Sequence, residues 1–210
     1  MLELWLQQNL FEDMISLRVG QFTADSEFLR SAYAGLFLNR SFGWPAVLAA
    51  NLPGGGPSVP LATLGVRLAV HPADWLTLQS AVFQGNVYDQ FSNPYGFLWN
   101  LNEDVGFFFI NEVQGSWNLK AGQSALPGQV KAGFWAQSGK SADPLSATTR
   151  FGNYGGYFLL DQMLYRERSA PPGKSDSKEA LPDPSLQGLG WFGRIGFAPP
   201  ERNIVDFYFD

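Results

Sequence analysis

Short runs of alternating apolar and polar side chains recur along the chain and predict β-strands, because successive strand residues point to opposite faces. Between 61 and 70, for example, Leu64, Val66 and Leu68 share one face while Arg67 lies on the other. Turn-forming residues separate about nine such runs, near 2–8, 14–21, 61–70, 75–84, 106–114, 129–137, 154–165, 188–197 and 204–210. Each is about as long as a tilted strand that crosses a membrane. The pattern predicts an all-β, antiparallel fold with one apolar and one polar face.

Two runs depart from this alternation. Residues 107–110 and 157–160 are apolar on both faces before polar residues follow. A plug, or a loop folded onto the inner wall of a barrel, explains apolar side chains on the polar face. The core of a soluble two-sheet protein explains them equally well.

The connections between the runs differ in length. Those at 9–13, 71–74 and 201–203 are tight, and those at 22–60, 85–105, 138–153 and 166–187 are long. Membrane barrels alternate short turns with long loops. Strict alternation would make 166–187 a short turn and 201–203 a long loop, which is the reverse of their lengths. This conflict predicts a miscounted strand near 106–165 or an extra strand inside 22–60. We expect 22–60 to be a long, inward-folding loop with a short helix within 26–39, and 166–187 to be a solvated polar loop.

Composition narrows the class of protein. Charged residues make up only 16% of the chain, against about 25% in soluble proteins, while aromatic residues reach 15%. Mean hydropathy is nevertheless −0.10, and there is no run of about 18 apolar residues. A transmembrane β-barrel requires this combination, because its outer face meets lipid and its lumen meets water. A soluble sandwich would place more charge on its outer faces.

The sequence offers few residues that could serve in catalysis, metal binding or nucleic-acid binding. The chain has no cysteine, which excludes disulfides and thiol catalysis, and its net charge of −5 argues against nucleic acid as a partner. The one histidine, His71, is expected to be a surface turn residue without triad or metal partners. Asp25 and Glu27 are a weak candidate for the carboxylate pair of a glycosidase. We therefore expect no enzyme activity, no metal and no cofactor.

Several motifs, in their order and spacing, resemble the carbohydrate-selective porins of the OprB family over nearly the whole chain. The matching stretches are LRVGQF at 17–22, DSEF at 25–28, AGLFLN at 34–39, SFGWP at 41–45, FQGN at 83–86, LPG at 126–128, GNYGGY at 152–157, DQMLYR at 161–166, FGR at 192–194 and APPERN at 198–203.

The resemblance implies a 16-stranded channel in the bacterial outer membrane that passes glucose and other mono- or oligosaccharides by diffusion. It also implies contact with outer-membrane lipid and lipopolysaccharide, and a possible homo-oligomer. About nine strands are fewer than 16, no secretion signal opens the chain, and residue 210 lies inside a predicted strand. These features predict that residues 1–210 are a single barrel fragment, an incomplete arc truncated at both ends.

Sugar conduction requires polar groups and aromatic rings at a wet constriction. The long loop offers such groups, and we expect the constriction to use Asp25, Glu27, Arg30, Asn39, Arg40 and Trp44. The alternative interpretation makes this loop an outward cap or a packing element. A cation on the lipid face costs about 2–4 kcal/mol at mid-membrane, so we expect the lumen to contain Arg18, Arg67, Lys131 and Arg194.

Two matters stay open at this point. The inward cations either contact sugar or pair with carboxylates across the wall. A soluble carbohydrate-binding β-sandwich and a β-rich glycosidase remain competing interpretations of the whole chain, because they share its aromatic residues and alternating strands.

Overall fold

Nine strands account for most of the regular structure among the residues that the structure describes. The computed structural model describes residues 3–87, 91, 93, 95–118, 125–143, 146, 148–167 and 188–210, with the backbone alone at 40 and 142. The strands are β1 (Leu4–Leu10), β2 (Ile15–Phe22), β3 (Thr63–Ala73), β4 (Leu76–Gln84), β5 (Phe107–Trp117), β6 (Gly128–Ala142), β7 (Thr149–Arg166), β8 (Gly188–Phe197) and β9 (Phe207–Phe209). Each corresponds to one run predicted from the alternating pattern.

The strands form one antiparallel sheet in chain order, from β1 to β9. Each inner strand pairs with the strands before and after it, and β1 and β9 are the edges of an open sheet. The predicted all-β antiparallel class and the incomplete arc are confirmed. Across the part of the chain that the structure describes, there is no second sheet to complete a sandwich.

The predicted miscounted strand is wrong for the described residues. The sheet contains no extra strand between β2 and β3, and β5, β6 and β7 pair in succession. The long connection predicted at 138–153 is also wrong, because the β6–β7 pairing continues to Ala142 and Thr149. Polar side chains occupy these strand ends, so the hydrophobic pattern stops before the backbone pairing does. Most of the predicted polar loop at 166–187 lies outside the described residues.

The helix predicted within 26–39 is not formed. Leu29 has a φ of 55°, which lies outside the right-handed helical region and interrupts any helix there. The long connection instead contains the short 3₁₀ turns Ala24–Ser26, Ala34–Leu36, Arg40–Phe42 and Pro53–Gly55 and one short helix, α1 (Ala46–Ala49). No helix among the residues with described coordinates is long and apolar enough to cross a membrane.

One face of the sheet is apolar and exposed. Its middle carries aliphatic side chains such as Leu68 and Val113. Exposed aromatic residues lie at both ends of the strands: Trp75, Trp117, Tyr165 and Trp191 at one end, and Phe107, Phe151, Phe197 and Phe207 at the other. An aliphatic band between two aromatic rows is the surface that a barrel presents to a membrane.

The opposite, polar face is covered by residues 23–62, which we call the folded segment. Phe28, Trp44 and Leu48 of this segment pack against Phe108 and Ile110 of β5 in the main hydrophobic cluster. These contacts explain the run 107–110, which is apolar on both faces, by a loop folded onto the wall. Tyr157 and Leu159 are buried on the same face and explain the run 157–160 in the same way.

The prediction for His71 is wrong. The strand β3 continues through this residue to Ala73, and the imidazole is 7% exposed. Its Nδ1 lies 2.9 Å from the Thr77 hydroxyl on β4, so a polar partner stabilises the buried ring.

Candidate functional site

Glu27 of the folded segment lies between two arginines of the wall. Its Oε2 accepts a hydrogen bond from Arg67 Nε at 2.9 Å, and its Oε1 contacts Arg18. Arg67 also donates to the hydroxyl and carbonyl of Ser16, and both guanidinium groups donate to Gln7. The Arg67 side chain is 0% exposed and that of Glu27 is 9% exposed, so their charges are compensated mainly within the protein. This network fixes the start of the folded segment against β2 and β3.

A third arginine fixes the middle of the folded segment. Arg194 on β8 is 1% exposed and donates to the backbone carbonyls of Ser41 and Gly43 at 2.8 and 3.3 Å. Its Nε donates to Asp210 Oδ1 at 2.9 Å. A guanidinium has five donors, which allows one residue to bind a carboxylate and two carbonyls.

An asparagine cluster fixes the last part of the segment. Asn51 donates to the Val205 carbonyl at 2.6 Å and accepts a hydrogen bond from the Val205 N–H. Its own carbonyl accepts a hydrogen bond from Asn153 of β7, whose side chain is also bonded to Asn203. Asn51, which follows α1, is therefore bound to β7 and to the connection between β8 and β9, near the edge of the sheet opposite β1.

Three of the four expected lumen cations are almost fully buried. Arg67, Lys131 and Arg194 are 0–2% exposed, and the side chain of Arg18 is 14% exposed beside Glu27. They lie on the polar face, where Arg67 and Arg194 are bound to groups of the folded segment. Arg18, Arg67 and Arg194 each contact the segment or its bound partners.

Glu112 on β5 is a site residue that the sequence prediction missed. It is 2% exposed and both carboxylate oxygens are occupied. Oε2 accepts the Leu29 N–H at 2.9 Å and the Tyr157 hydroxyl at 2.8 Å, and Oε1 accepts the amides of Gln79 and Gln114 at 2.9 and 2.8 Å.

Asp161 on β7 was also missed and binds the next residues of the segment. Its Oδ1 accepts the Ser31 hydroxyl and its Oδ2 accepts the Ala32 N–H at 3.2 Å. Asp161 is 0% exposed. A carboxylate that closely follows a run apolar on both faces, as at Glu112 and Asp161, is the sequence signal that would have identified both residues.

A depression of about 470 Å³ lies within the folded segment and is lined by Asp25, Asn39, Trp44, Phe37 and Val59, among others. Asp25 Oδ2 accepts the Val59 N–H at 3.1 Å, and burial raises the pKa of Asp25. Trp44 is buried and donates from its indole to the Gly55 carbonyl at 2.8 Å. Trp44 therefore stabilises the segment as well as lining the depression.

Arg30 and Asn39 are the expected constriction residues that are exposed. Asn39 Oδ1 accepts hydrogen bonds from the backbone and hydroxyl of Ser41. No carboxylate among the described residues pairs with Arg30. For Arg40 only the backbone is described, at the start of a 3₁₀ turn. The structure thus brings together Asp25, Asn39 and Trp44, and leaves Arg30 separate from them.

Among the described residues, no group of three or more histidine, aspartate or glutamate side chains could hold a metal ion. The carboxylates near the folded segment instead accept hydrogen bonds from its backbone or from arginines.

An open antiparallel sheet with an apolar outer face, aromatic rows at both ends and a loop held on its polar face defines the wall of a porin-type β-barrel. The model of the carbohydrate-selective porin family, OprB, matches residues 1–210. The chain belongs to this family. Proteins of the family are transport channels, and they lie in the outer membrane of Gram-negative bacteria, the location expected from the sequence.

One solved structure, described as the high-pH structure of Pseudomonas putida OprB, is similar to the chain with a TM-score of 0.69 at 16% identity. The alignment covers 98% of this chain and 47% of that one, so the chain spans about half of the OprB chain that it matches. No curated protein matches the chain significantly.

Proposed function

We propose that the chain forms part of the wall and the constriction of a channel for passive diffusion of carbohydrates across the outer membrane. One observation carries the proposal: a folded segment is bound to the polar face of a sheet whose other face is apolar. Membership of the carbohydrate-selective porin family supports sugars as the solutes. The polar face is then the lumen, and the folded segment narrows it.

The exposed groups of the folded segment are our candidates for contact with solutes. Arg30 donates hydrogen bonds to sugar hydroxyls, and the depression offers the Asp25 carboxylate, Asn39 and the ring of Phe37. Arg67, Lys131 and Arg194 instead stabilise the wall, because they are almost fully buried. Among the side chains that the structure describes, the channel that we propose presents Arg30 at the segment rather than a row of arginines along the wall.

The polar and apolar faces of the sheet suggest different binding partners. We propose mono- and oligosaccharides, including glucose, on the polar face, and lipid and lipopolysaccharide on the apolar face. A homo-oligomer stays a prediction that an assay of oligomeric state must decide.

Liposome swelling tests this function. Vesicles that contain the chain assembled with any further strands of its parent protein should swell faster in glucose than in charged solutes of similar size. Equal rates for all solutes would leave a general porin and remove carbohydrate selectivity. Extraction from cells without detergent would contradict the membrane channel and favour a soluble sugar-binding protein.

A further inference from the structure

A sharp turn at residues 28–32 presents Arg30 to solvent. Leu29 has a φ of 55°, a left-handed conformation that is sterically costly for leucine. Such a residue persists only where its surroundings hold it in place. Here the Leu29 side chain is 2% exposed, while the adjacent Arg30 is exposed.

Two wall carboxylates hold this turn on both sides of Arg30. Glu112 on β5 accepts the N–H of Leu29, and Asp161 on β7 accepts the N–H of Ala32 and the hydroxyl of Ser31. These strands are separated by β6, so the two strands lie about 10 Å apart. The turn thus spans one strand and is bound at each end.

The contacts of Glu112 leave no free oxygen for a solute. Its four donors are neutral: one backbone N–H, two amides and one tyrosine hydroxyl. Gln79 also donates to the Glu27 carbonyl, which connects Glu112 to the arginines that bind Glu27. A buried carboxylate retained with this set of donors orients the groups that donate to it.

We propose that Glu112 and Asp161 are positioning residues that fix the direction of Arg30 and thereby set the charge selectivity of the channel. The proposal rests on the proposed function, because it assumes that the folded segment lines the conducting path. Neither carboxylate contacts the solute in this mechanism.

The substitution Glu112→Gln tests the proposal with little change of shape. A glutamine side chain accepts hydrogen bonds only through its oxygen, because its nitrogen is a donor. Either the Leu29 N–H or the side-chain amides of Gln79 and Gln114 therefore lose their acceptor. We expect Arg30 to lose its fixed direction, and the anion-to-cation permeability ratio to fall about twofold or more, within the range of coupled residues. The measurement is the reversal potential of single channels in a salt gradient.

The direction in which the anion-to-cation permeability ratio changes distinguishes a positioning role of Glu112 from a direct effect of its charge on ions. Removal of the negative charge of Glu112 would by itself favour anions, whereas a displaced Arg30 favours them less. A ratio that rises or stays unchanged in Glu112→Gln therefore overturns the proposal. Glu103→Gln, which removes an exposed carboxylate from another loop, should leave the ratio close to that of the original chain.

A double variant tests whether Glu112 acts through Arg30. In an Arg30→Gln background, Glu112→Gln should have no further effect on the ratio, because its action passes through Arg30. Asp161→Asn should reproduce the fall if Glu112→Gln does not assemble. Channels that select ions as expected but pass no sugar would contradict the proposed function alone. Channels that pass sugar without the fall in the ratio would contradict the positioning alone.

Discussion

At the scale of single residues, the most consequential feature is that charge lies at the boundary between the wall and the folded segment. Arg67 and Arg194 are completely or almost completely buried, and each is satisfied by a carboxylate together with other oxygen acceptors. Removal of one member of a buried pair leaves the other charge without compensation, which costs more than the loss of an exposed pair.

The first prediction concerns this contrast. Arg67→Met should destabilise the assembled protein by about 1.5–3 kcal/mol, because Glu27 keeps Arg18 but loses its hydrogen bond from Arg67. Lys140→Met breaks an exposed pair with Asp104 and should cost about 0–1 kcal/mol. Denaturant unfolding in detergent, followed by tryptophan fluorescence, measures both variants. Equal effects would show that burial does not strengthen the Glu27 pair.

The second prediction concerns pH. Burial raises the pKa of Asp25 in the folded protein above its ordinary value of 3.8, mainly through loss of hydration. Its contribution to stability is therefore fully present below the unfolded pKa and is lost as the pH rises through the folded pKa. Asp25→Asn should stabilise the protein at neutral pH, and the advantage should vanish in acid. A stability difference that does not change with pH would contradict this assignment.

At the scale of elements, the fit of the folded segment depends on small residues in the wall. A Cβ atom added at Gly190 of β8 would lie 2.2 Å from the ring of Tyr33, and one added at Gly196 would lie 2.6 Å from Val47 of α1. Both glycines thus let the segment approach the sheet closely, at the two ends of its contact with β8.

The third prediction tests this close approach. Gly190→Ala should displace Tyr33 and cost about 1–3 kcal/mol, as other overpacked sites do. Gly115→Ala is the matched control, because its nearest neighbour would be Val130 at 3.4 Å, and it should be nearly neutral. Unfolding measurements report the cost, and sugar flux reports the displaced segment. A neutral Gly190→Ala would mean that the segment adapts without strain.

At the scale of the whole molecule, the two faces of the sheet require two solvents. The outer face carries exposed leucine, valine and aromatic side chains, while the polar face buries arginine, lysine, glutamine and carboxylate groups. In water the outer face would be an extensive apolar surface, and in lipid it is satisfied.

The fourth prediction follows from this orientation. Leu68→Arg, near the middle of β3 on the outer face, should cost about 2–4 kcal/mol in a membrane, whereas Leu164→Arg, near the end of β7, should cost about 0–1 kcal/mol. The yield of protein assembled in the outer membrane compares the two variants. Similar yields would place Leu68 away from the hydrocarbon layer.

The order of the strands was predictable because a meander repeats one local rule. Alternation identifies a strand, a turn reverses it, and consecutive antiparallel strands pair, so all nine runs became neighbours in chain order. The ends of β6 and β7 were not predictable in this way. Residues such as Lys140 and Arg150 continue the pairing through backbone hydrogen bonds, which the hydrophobic pattern does not record.

The sequence by itself determined the all-β class, the two faces and the approximate positions of the nine strand runs, because strand periodicity is local. Only the tertiary structure decided which charged side chains are exposed. It covered the wall arginines with the folded segment, left Arg30 in solvent, and brought Glu112 and Asp161 to the turn at Leu29. The contacts that decide these outcomes join residues 40 to 153 positions apart, and no local pattern contains them.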